Sequence, residues 1–125
     1  MSKPDINTRE DIILLINTFY GKVRENNILG YIFNDVARVD WESHLPKMYS
    51  FWASMLLGER SFEGSPMSKH IALSRMTRMS SIEFSEWLYL FKQTVDELFE
   101  GEKAAEAKMR AENIAGLMLH RIESV

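Results

Sequence analysis

The stretch of sequence that decides the fold class is TREDIILLINTFYGKV, residues 8–23. Its apolar residues recur every three or four positions, the spacing that places side chains on one face of an α-helix. Either Asn7 or Thr8 can cap the first turn, where Glu10 and Asp11 suit the positive end of the helix dipole. The residues on the predicted buried face are Ile12, Leu15, Ile16, Phe19, Tyr20 and Val23. The stretch therefore predicts an amphipathic helix.

The middle of the chain predicts one long helix and two short helical pieces. The long helix covers residues 41–58 with Asp40 as its N-cap. Its apolar face contains Trp41, His44, Leu45, Met48, Phe51, Trp52, Met55 and Leu56. Residues 29–33 have room for only a turn or two, and residues 67–73 form a short helix after the loop 58–66. Glycine and proline in that loop make it a flexible cover for one side of the molecule.

Two further helices complete the predicted fold. Ser80 and Glu83 form a capping box ahead of the first, which Gly101 ends, and the second begins near Lys103. Their predicted apolar faces contain Phe84, Trp87, Leu88, Phe91, Val95 and Leu98, then Ala107, Ala111, Ile114, Ala115, Met118 and Ile122. No segment alternates with period two for long enough to make a sheet. The sequence predicts an all-α fold in one domain, residues 1–125.

Composition narrows the function classes. A chain of 125 residues, 46% of them hydrophobic, has material for one globular core. Its longest apolar runs, such as residues 12–16, are too short to cross a bilayer, and no signal-peptide pattern is present. A net charge of −3 with scattered basic residues gives no reason to expect a nucleic-acid partner. A cytoplasmic monomer without a membrane or nucleic-acid partner is expected.

The sequence also limits the metal chemistry. It has no cysteine, which excludes thiolate sites, and its three histidines, His44, His70 and His120, are too few to favour a multi-histidine cage. Hydrolase and phosphate-binding motifs are missing. His70 follows a loop that ends in Gly-x-Pro and has apolar neighbours, which suits a haem because porphyrin leaves only one imidazole for the protein to provide. A surface histidine on a connecting helix remains the alternative.

The other candidate residues can also be explained by ordinary structural roles. His44 lies within an apolar helix face and could be a hydrogen-bonded core histidine. Tyr20 and Trp87 lie at helical spacing among core residues, where aromatic side chains usually serve packing. His120, near the end of the last helix, suits the negative end of the helix dipole and is assigned no function.

Taken together, the ordered motifs resemble the truncated haemoglobins, the two-over-two helical globins of bacteria, and most closely their third group. The segments that carry the resemblance are FYGKV at 19–23, LGYIF at 29–33, WESHL at 41–45, FWASMLLG at 51–58, FEGSP at 62–66 with His70, WLYLF at 87–91 and RAENIA at 110–115. They span nearly the whole chain. The absence of any Gly-Gly pair agrees with group III, whereas residues 74–78 lack a proline found in many relatives.

The resemblance implies a haem b cofactor and a role for each candidate residue. His70 is implied as the proximal iron ligand, and Tyr20, His44 and Trp87 as the residues lining the opposite, distal pocket. Residues expected to pack about the haem are Phe33, Phe51 and Trp52. By position alone, Lys69, Arg75 and Arg78 are candidates to bind the haem propionates. Whether His44 ligates the iron or gates the pocket stays open.

The implied function is chemistry on a diatomic ligand. Two hydrogen-bond donors, Tyr20 and Trp87, favour slow release of O2, which suits a reaction better than transport. We expect NO to be converted to nitrate with O2, and a separate reductase to supply electrons because the sequence has no flavin or nicotinamide domain. Peroxidase-like chemistry with His44 as proton shuttle, reversible O2 binding or gas sensing, and a cofactor-free interaction protein are the alternatives.

Overall fold

The computed structural model describes residues 3–30, 41–58 and 81–123, and of residues 118 and 120–123 it describes the backbone alone. These residues form four helices: α1 (Arg9–Glu25), α2 (Trp41–Leu57), α3 (Ser81–Leu98) and α4 (Glu102–Glu123). The described stretches contain no β-strand, as the sequence predicted. None of their helices is long and apolar enough to cross a membrane.

Several sequence predictions fall outside these residues. They are the caps Asp40 and Ser80, most of the predicted turn at 29–33, the loop 58–66 beyond Gly58, and the short helix 67–73. The side chains of Met118, His120 and Ile122 are likewise outside the description. These predictions stay predictions.

The helices pack as two pairs. Helix α1 packs on α2, and α3 packs on α4; α1 also contacts α3, and α2 contacts α4, so one pair lies over the other. The core between them is continuous and includes side chains from all four helices. The all-α prediction is confirmed, and in this arrangement α1 contacts both α2 and α3.

Local sequence explains both ends of α1. Thr8 is the N-cap: its hydroxyl accepts a hydrogen bond from the Asp11 backbone N–H at 3.2 Å, and the Asp11 carboxylate accepts one from the Thr8 N–H at 3.0 Å. This reciprocal capping box satisfies donors that the first helical turn leaves exposed. Asn26 ends the helix, and its side-chain oxygen accepts from the N–H groups of Ile28 and Leu29, each at 2.9 Å. Of the two predicted caps, Thr8 is the one used.

The start of α4 is capped by a residue from the opposite end of the sequence. The carboxylate of Asp5 accepts hydrogen bonds from the backbone N–H groups of Lys103 at 3.0 Å and Ala104 at 2.9 Å. Partial burial acts to raise the pKa of Asp5, but the bonds from Lys103, Ile6 and Ala104 outweigh it, so the pKa is lowered from its ordinary value. Gly101 permits this contact: its φ is +139°, and a Cβ there would lie 2.6 Å from Cγ of Asp5.

Predicted and observed buried faces agree closely on α1 and less closely on α3. All six predicted residues of α1 are buried. On α3, Leu88 and Leu98 are only partly buried, whereas Leu90 and Thr94, which the pattern missed, are buried. Helix α3 contacts both α1 and α4, so its buried face is wider than one stripe. Thr94 tolerates burial because its hydroxyl donates to the Leu90 carbonyl at 2.7 Å.

Small residues and a proline shape the remaining helices. The buried face of α4 is a row of alanines, Ala104, Ala107, Ala111 and Ala115, of which the sequence predicted the last three. Such small side chains let neighbouring helices approach closely. Pro46 lies inside α2, in its second turn. Because proline has no backbone N–H, the carbonyl of Glu42 loses the helical hydrogen bond that residue 46 would otherwise donate.

Candidate functional site

Three of the aromatic rings meet where α1 crosses the first turn of α2. The ring centroids of Tyr20 and His44 are 5.3 Å apart, with an interplanar angle of 83°. Trp41 touches both, at 5.4 Å from Tyr20 and 5.6 Å from His44. Edge-to-face and tilted contacts of this kind are the favoured geometry for aromatic pairs. The fold therefore brings together two of the predicted site residues, Tyr20 and His44.

Tyr20 is the buried member of this group. Only 3% of its surface is exposed, and burial raises the pKa of its hydroxyl well above the ordinary value. Removal from water disfavours the charged phenolate, so the hydroxyl stays protonated across the physiological pH range. His44 is half-buried, and its Nε2 atom is shielded from solvent. The site thus contains a neutral hydrogen-bond donor next to an imidazole.

Trp87 reaches the same cluster through Phe19. Phe19 lies 4.8 Å from Tyr20 and 5.6 Å from Trp87, ring centroid to centroid, and the Phe19–Trp87 contact is edge-to-face at 86°. Trp87 is 7% exposed and also stacks on Phe91 at 5.9 Å. Its indole N–H is a donor that does not titrate. Tyr20 and Trp87 accordingly flank one aromatic ring on adjacent helices.

The predicted haem-packing residues of α2 lie further along the cluster. Trp52, 3% exposed, stacks on Phe91 at 4.7 Å with an interplanar angle of 21°. Phe51 is half-buried and meets Trp52 edge-on at 5.7 Å. These contacts connect α2 to α3, so a continuous aromatic wall runs from His44 to Phe51.

The other predicted site residues lie outside the described part of the chain. They are His70, Phe33, Lys69, Arg75 and Arg78. The proximal ligand and the propionate partners therefore stay sequence predictions. Within residues 3–30, 41–58 and 81–123, no group of three or more histidine, aspartate or glutamate side chains could hold a metal ion.

Sequence reasoning assigned no site role to several residues of the cluster. Trp41 precedes His44 by three residues, and the predicted apolar face includes both, but Trp41 had no site role there. Phe19 and Phe91 were placed in the core without a link to the site. Arg24 has its guanidinium carbon 5.0 Å from the Trp41 ring centroid. That contact joins α1 to α2, and no local pattern could have shown it.

The donor set suits a small neutral ligand on a haem face. Tyr20 contributes a buried hydroxyl and Trp87, 7% exposed, contributes an indole N–H, and both side chains lie among aromatic rings. A ligand that gains partial negative charge on binding would be stabilised there, and a charged substrate would meet no buried counter-ion within the cluster. The residues present therefore fit a haem with a diatomic ligand.

Comparisons with known proteins agree with the fold and the site. The structure is similar to the crystal structure of the group III truncated haemoglobin from Campylobacter jejuni, with a TM-score of 0.82 and 34% identity, covering 98% of this chain and 95% of that one. In sequence, it is 37% identical over 111 residues to the Group 3 truncated haemoglobin of Campylobacter jejuni, covering 86% of this chain and 84% of the relative. No protein-family profile matches.

The structural similarity shows that this chain has the fold of a truncated globin. The chain belongs to the truncated haemoglobin family and is similar to its group III. Membership of a globin family implies haem binding and, through the haem, binding of diatomic ligands.

Proposed function

We propose that the protein converts NO to nitrate with O2 on a bound haem b. The reaction combines one NO and one O2 with one electron to give one nitrate, so an external one-electron reductant is part of the proposal. The haem supplies the iron at which the two gases react. The observation that carries the proposal is the burial of Tyr20 as a neutral donor between His44 and the Phe19–Trp87 pair.

His70 is proposed as the residue that holds the iron. The support is the sequence context, a histidine four residues after the proline of a Gly-x-Pro sequence and with apolar neighbours, together with membership of a globin family. The chain has no cysteine for thioether attachment, which supports a non-covalent haem b. Phe33, Phe51 and Trp52 are proposed as packing partners, and Lys69 and Arg75 as propionate partners.

Tyr20 and Trp87 are proposed to donate hydrogen bonds to the bound ligand. Both donors stay protonated at physiological pH, Tyr20 because burial raises its pKa and Trp87 because indole does not titrate there. Two donors in a water-excluding pocket slow O2 release, which keeps O2 in place until NO arrives. The His44 ring lies against Tyr20, and we propose that it controls the entry of ligands or assists the reaction at the bound ligand.

The test is a stopped-flow experiment in which the ferrous, O2-loaded protein is mixed with NO. The proposal predicts rapid loss of the O2-bound spectrum and one nitrate per haem. Slow reaction combined with fast O2 release would reject it in favour of a reversible O2 carrier or sensor. Failure to take up haem would reject the haem site itself.

A Tyr20→Phe variant tests the residue role separately. Loss of one hydrogen bond to the ligand should speed O2 dissociation by up to about a hundredfold, from a contribution of about 0.5 to 3 kcal/mol. Tyr89→Phe is the matched control, because it makes the same chemical change at a side chain that is 60% exposed on α3. Equal dissociation rates in all three proteins would remove Tyr20 from the proposed mechanism.

A second candidate function, peroxidase-like cleavage of an O–O bond, is favoured by the contact between His44 and Tyr20. A histidine beside a polar donor can move a proton between the two oxygens of a peroxide. Oxidation of a one-electron dye by hydrogen peroxide, lost in His44→Ala and retained in Tyr89→Phe, would support this activity. Turnover no faster than that of free haem would reject it.

A further inference from the structure

Four side chains form a series from the surface to the buried hydroxyl at the junction of α1 and α2. Arg24 is exposed, Trp41 and His44 are half-buried, and Tyr20 is buried. Each touches the next: the Arg24 guanidinium carbon is 5.0 Å from the Trp41 ring centroid, Trp41 is 5.6 Å from His44, and His44 is 5.3 Å from Tyr20. The series therefore connects solvent with the site.

We propose that Trp41, held in place by the guanidinium of Arg24, is a positioning residue that keeps the His44 imidazole against Tyr20 and so limits ligand entry on that side. The inference rests on the proposed ligand site beside Tyr20 but does not depend on the reaction with NO. Trp41 acts through His44 and is not a catalytic residue.

The contacts of Trp41 explain how it restrains His44. The two rings meet at 81°, and Trp41 also meets Tyr20 at 57°, so the Trp41 ring closes one side of the space that the imidazole occupies. A guanidinium over an indole face is attracted by the negative charge of the ring face. Arg24 lies in the last turn of α1, where the helix dipole favours a cation, so the dipole also stabilises the guanidinium at this position.

Pro46 makes the same region easier to move. Trp41 and His44 both belong to the first turn of α2, and the missing N–H of Pro46 removes one backbone hydrogen bond between that turn and the next. The side-chain contacts of Trp41 therefore carry more of the restraint than they would in an unbroken helix. Weakening them should release His44 without unfolding α2.

The experiment measures the rate of CO association with the ferrous haem-loaded protein after flash photolysis. Arg24→Gln should raise the rate by about two- to fivefold, the factor that one exposed cation–π contact supports. Arg24→Lys keeps a cation and should restore a rate near that of the unchanged protein. Arg110→Gln is the matched control, because that guanidinium pairs with Glu106 at 2.8 Å on α4.

A His44→Ala background separates positioning from a structural effect. If Arg24 and Trp41 act through His44, then Arg24→Gln and Trp41→Phe should both lose their effect on the CO rate once His44 is alanine. Effects of the same size in both backgrounds would overturn the proposal, as would an unchanged rate in Arg24→Gln. CO binding can be followed whether or not the protein converts NO, so failure of the proposed reaction would be seen separately.

A second readout does not use ligand kinetics. In the diamagnetic CO form, the ring-proton NMR signals of His44 should be shifted by the neighbouring rings of Trp41 and Tyr20. Arg24→Gln should move those signals towards the positions of an unstacked imidazole, whereas Arg110→Gln should leave them in place. Unmoved signals in Arg24→Gln would contradict the role of Arg24 even if the protein melts at a lower temperature.

Discussion

The Tyr20 hydroxyl provides a direct test of the buried environment proposed for the ligand. Tyr20 is 3% exposed, and burial raises its pKa above the ordinary value of about 10. The raised pKa means that the folded protein keeps this proton at a pH where the unfolded chain has lost it. Folding stability from this group is therefore complete below pH about 10 and is lost as the pH rises from there through the folded-state pKa.

The size of this pH dependence follows from the single proton of the Tyr20 hydroxyl. Between the unfolded and folded pKa values, each pH unit removes up to about 1.4 kcal/mol of stability. Tyr20→Phe retains the ring and its contacts with Phe19, Trp41 and His44 but removes the proton. Relative to the unchanged protein, the variant should gain about 1 kcal/mol between pH 10 and pH 11, because half of the unfolded chains have already lost the proton at pH 10.

Urea unfolding in the ferrous CO form, followed by far-ultraviolet circular dichroism from pH 8 to pH 11, measures this difference. Comparison of the two proteins cancels the titration of every group that they share. Tyr89→Phe again serves as the control, since its side chain is exposed. Parallel stability curves for Tyr20→Phe and the unchanged protein would refute the claim that the hydroxyl is buried and neutral.

Three further predictions concern the cap of α4 and the second donor. Asp5→Ala should lower the free energy of unfolding by about 1–2 kcal/mol at pH 7, because the Lys103 and Ala104 N–H groups lose their acceptor. Chemical denaturation at several pH values measures this difference. The difference should shrink as the pH falls below about 4, because the pKa of Asp5 is lowered in the folded protein and its stabilisation is lost when the carboxylate is protonated. Gly101→Ala should lower the free energy of unfolding by about 1–3 kcal/mol in the same assay, because φ at this residue is +139° and the new Cβ would meet the Asp5 carboxyl. An unchanged unfolding midpoint would mean that the Asp5 contact is not made. Trp87→Phe should speed O2 dissociation by up to about a hundredfold if its indole donates to the ligand, and a rate equal to that of the unchanged protein would exclude that donor.

Much of the fold could be predicted because it depends on local signals. The N-cap candidate Thr8 and the six buried residues of α1 follow from short-range spacing, and the structure confirms them. The prediction was less accurate on α3, where Leu90 and Thr94 are buried because that helix meets two partners. A single-stripe pattern cannot represent a helix with two packed sides.

The sequence predicted the site less directly than the fold. Residue spacing alone left Tyr20, His44 and Trp87 as ordinary core residues, and only the ordered resemblance across the chain gave them a common role. The structure brings Tyr20 and His44 into contact and links Trp87 to them through Phe19. His70 stays a sequence prediction, because it lies outside the described residues.

The sequence by itself determined the four described helices, the N-cap of α1 and most of the buried faces, since these depend on residues within a turn or two of each other. Only the tertiary structure decided which helices would meet, and with that the contacts that join distant residues. The Arg24–Trp41 pair and the cap of α4 by Asp5 are of this kind. Their energies depend on distances across the fold, and no local spacing encodes those distances.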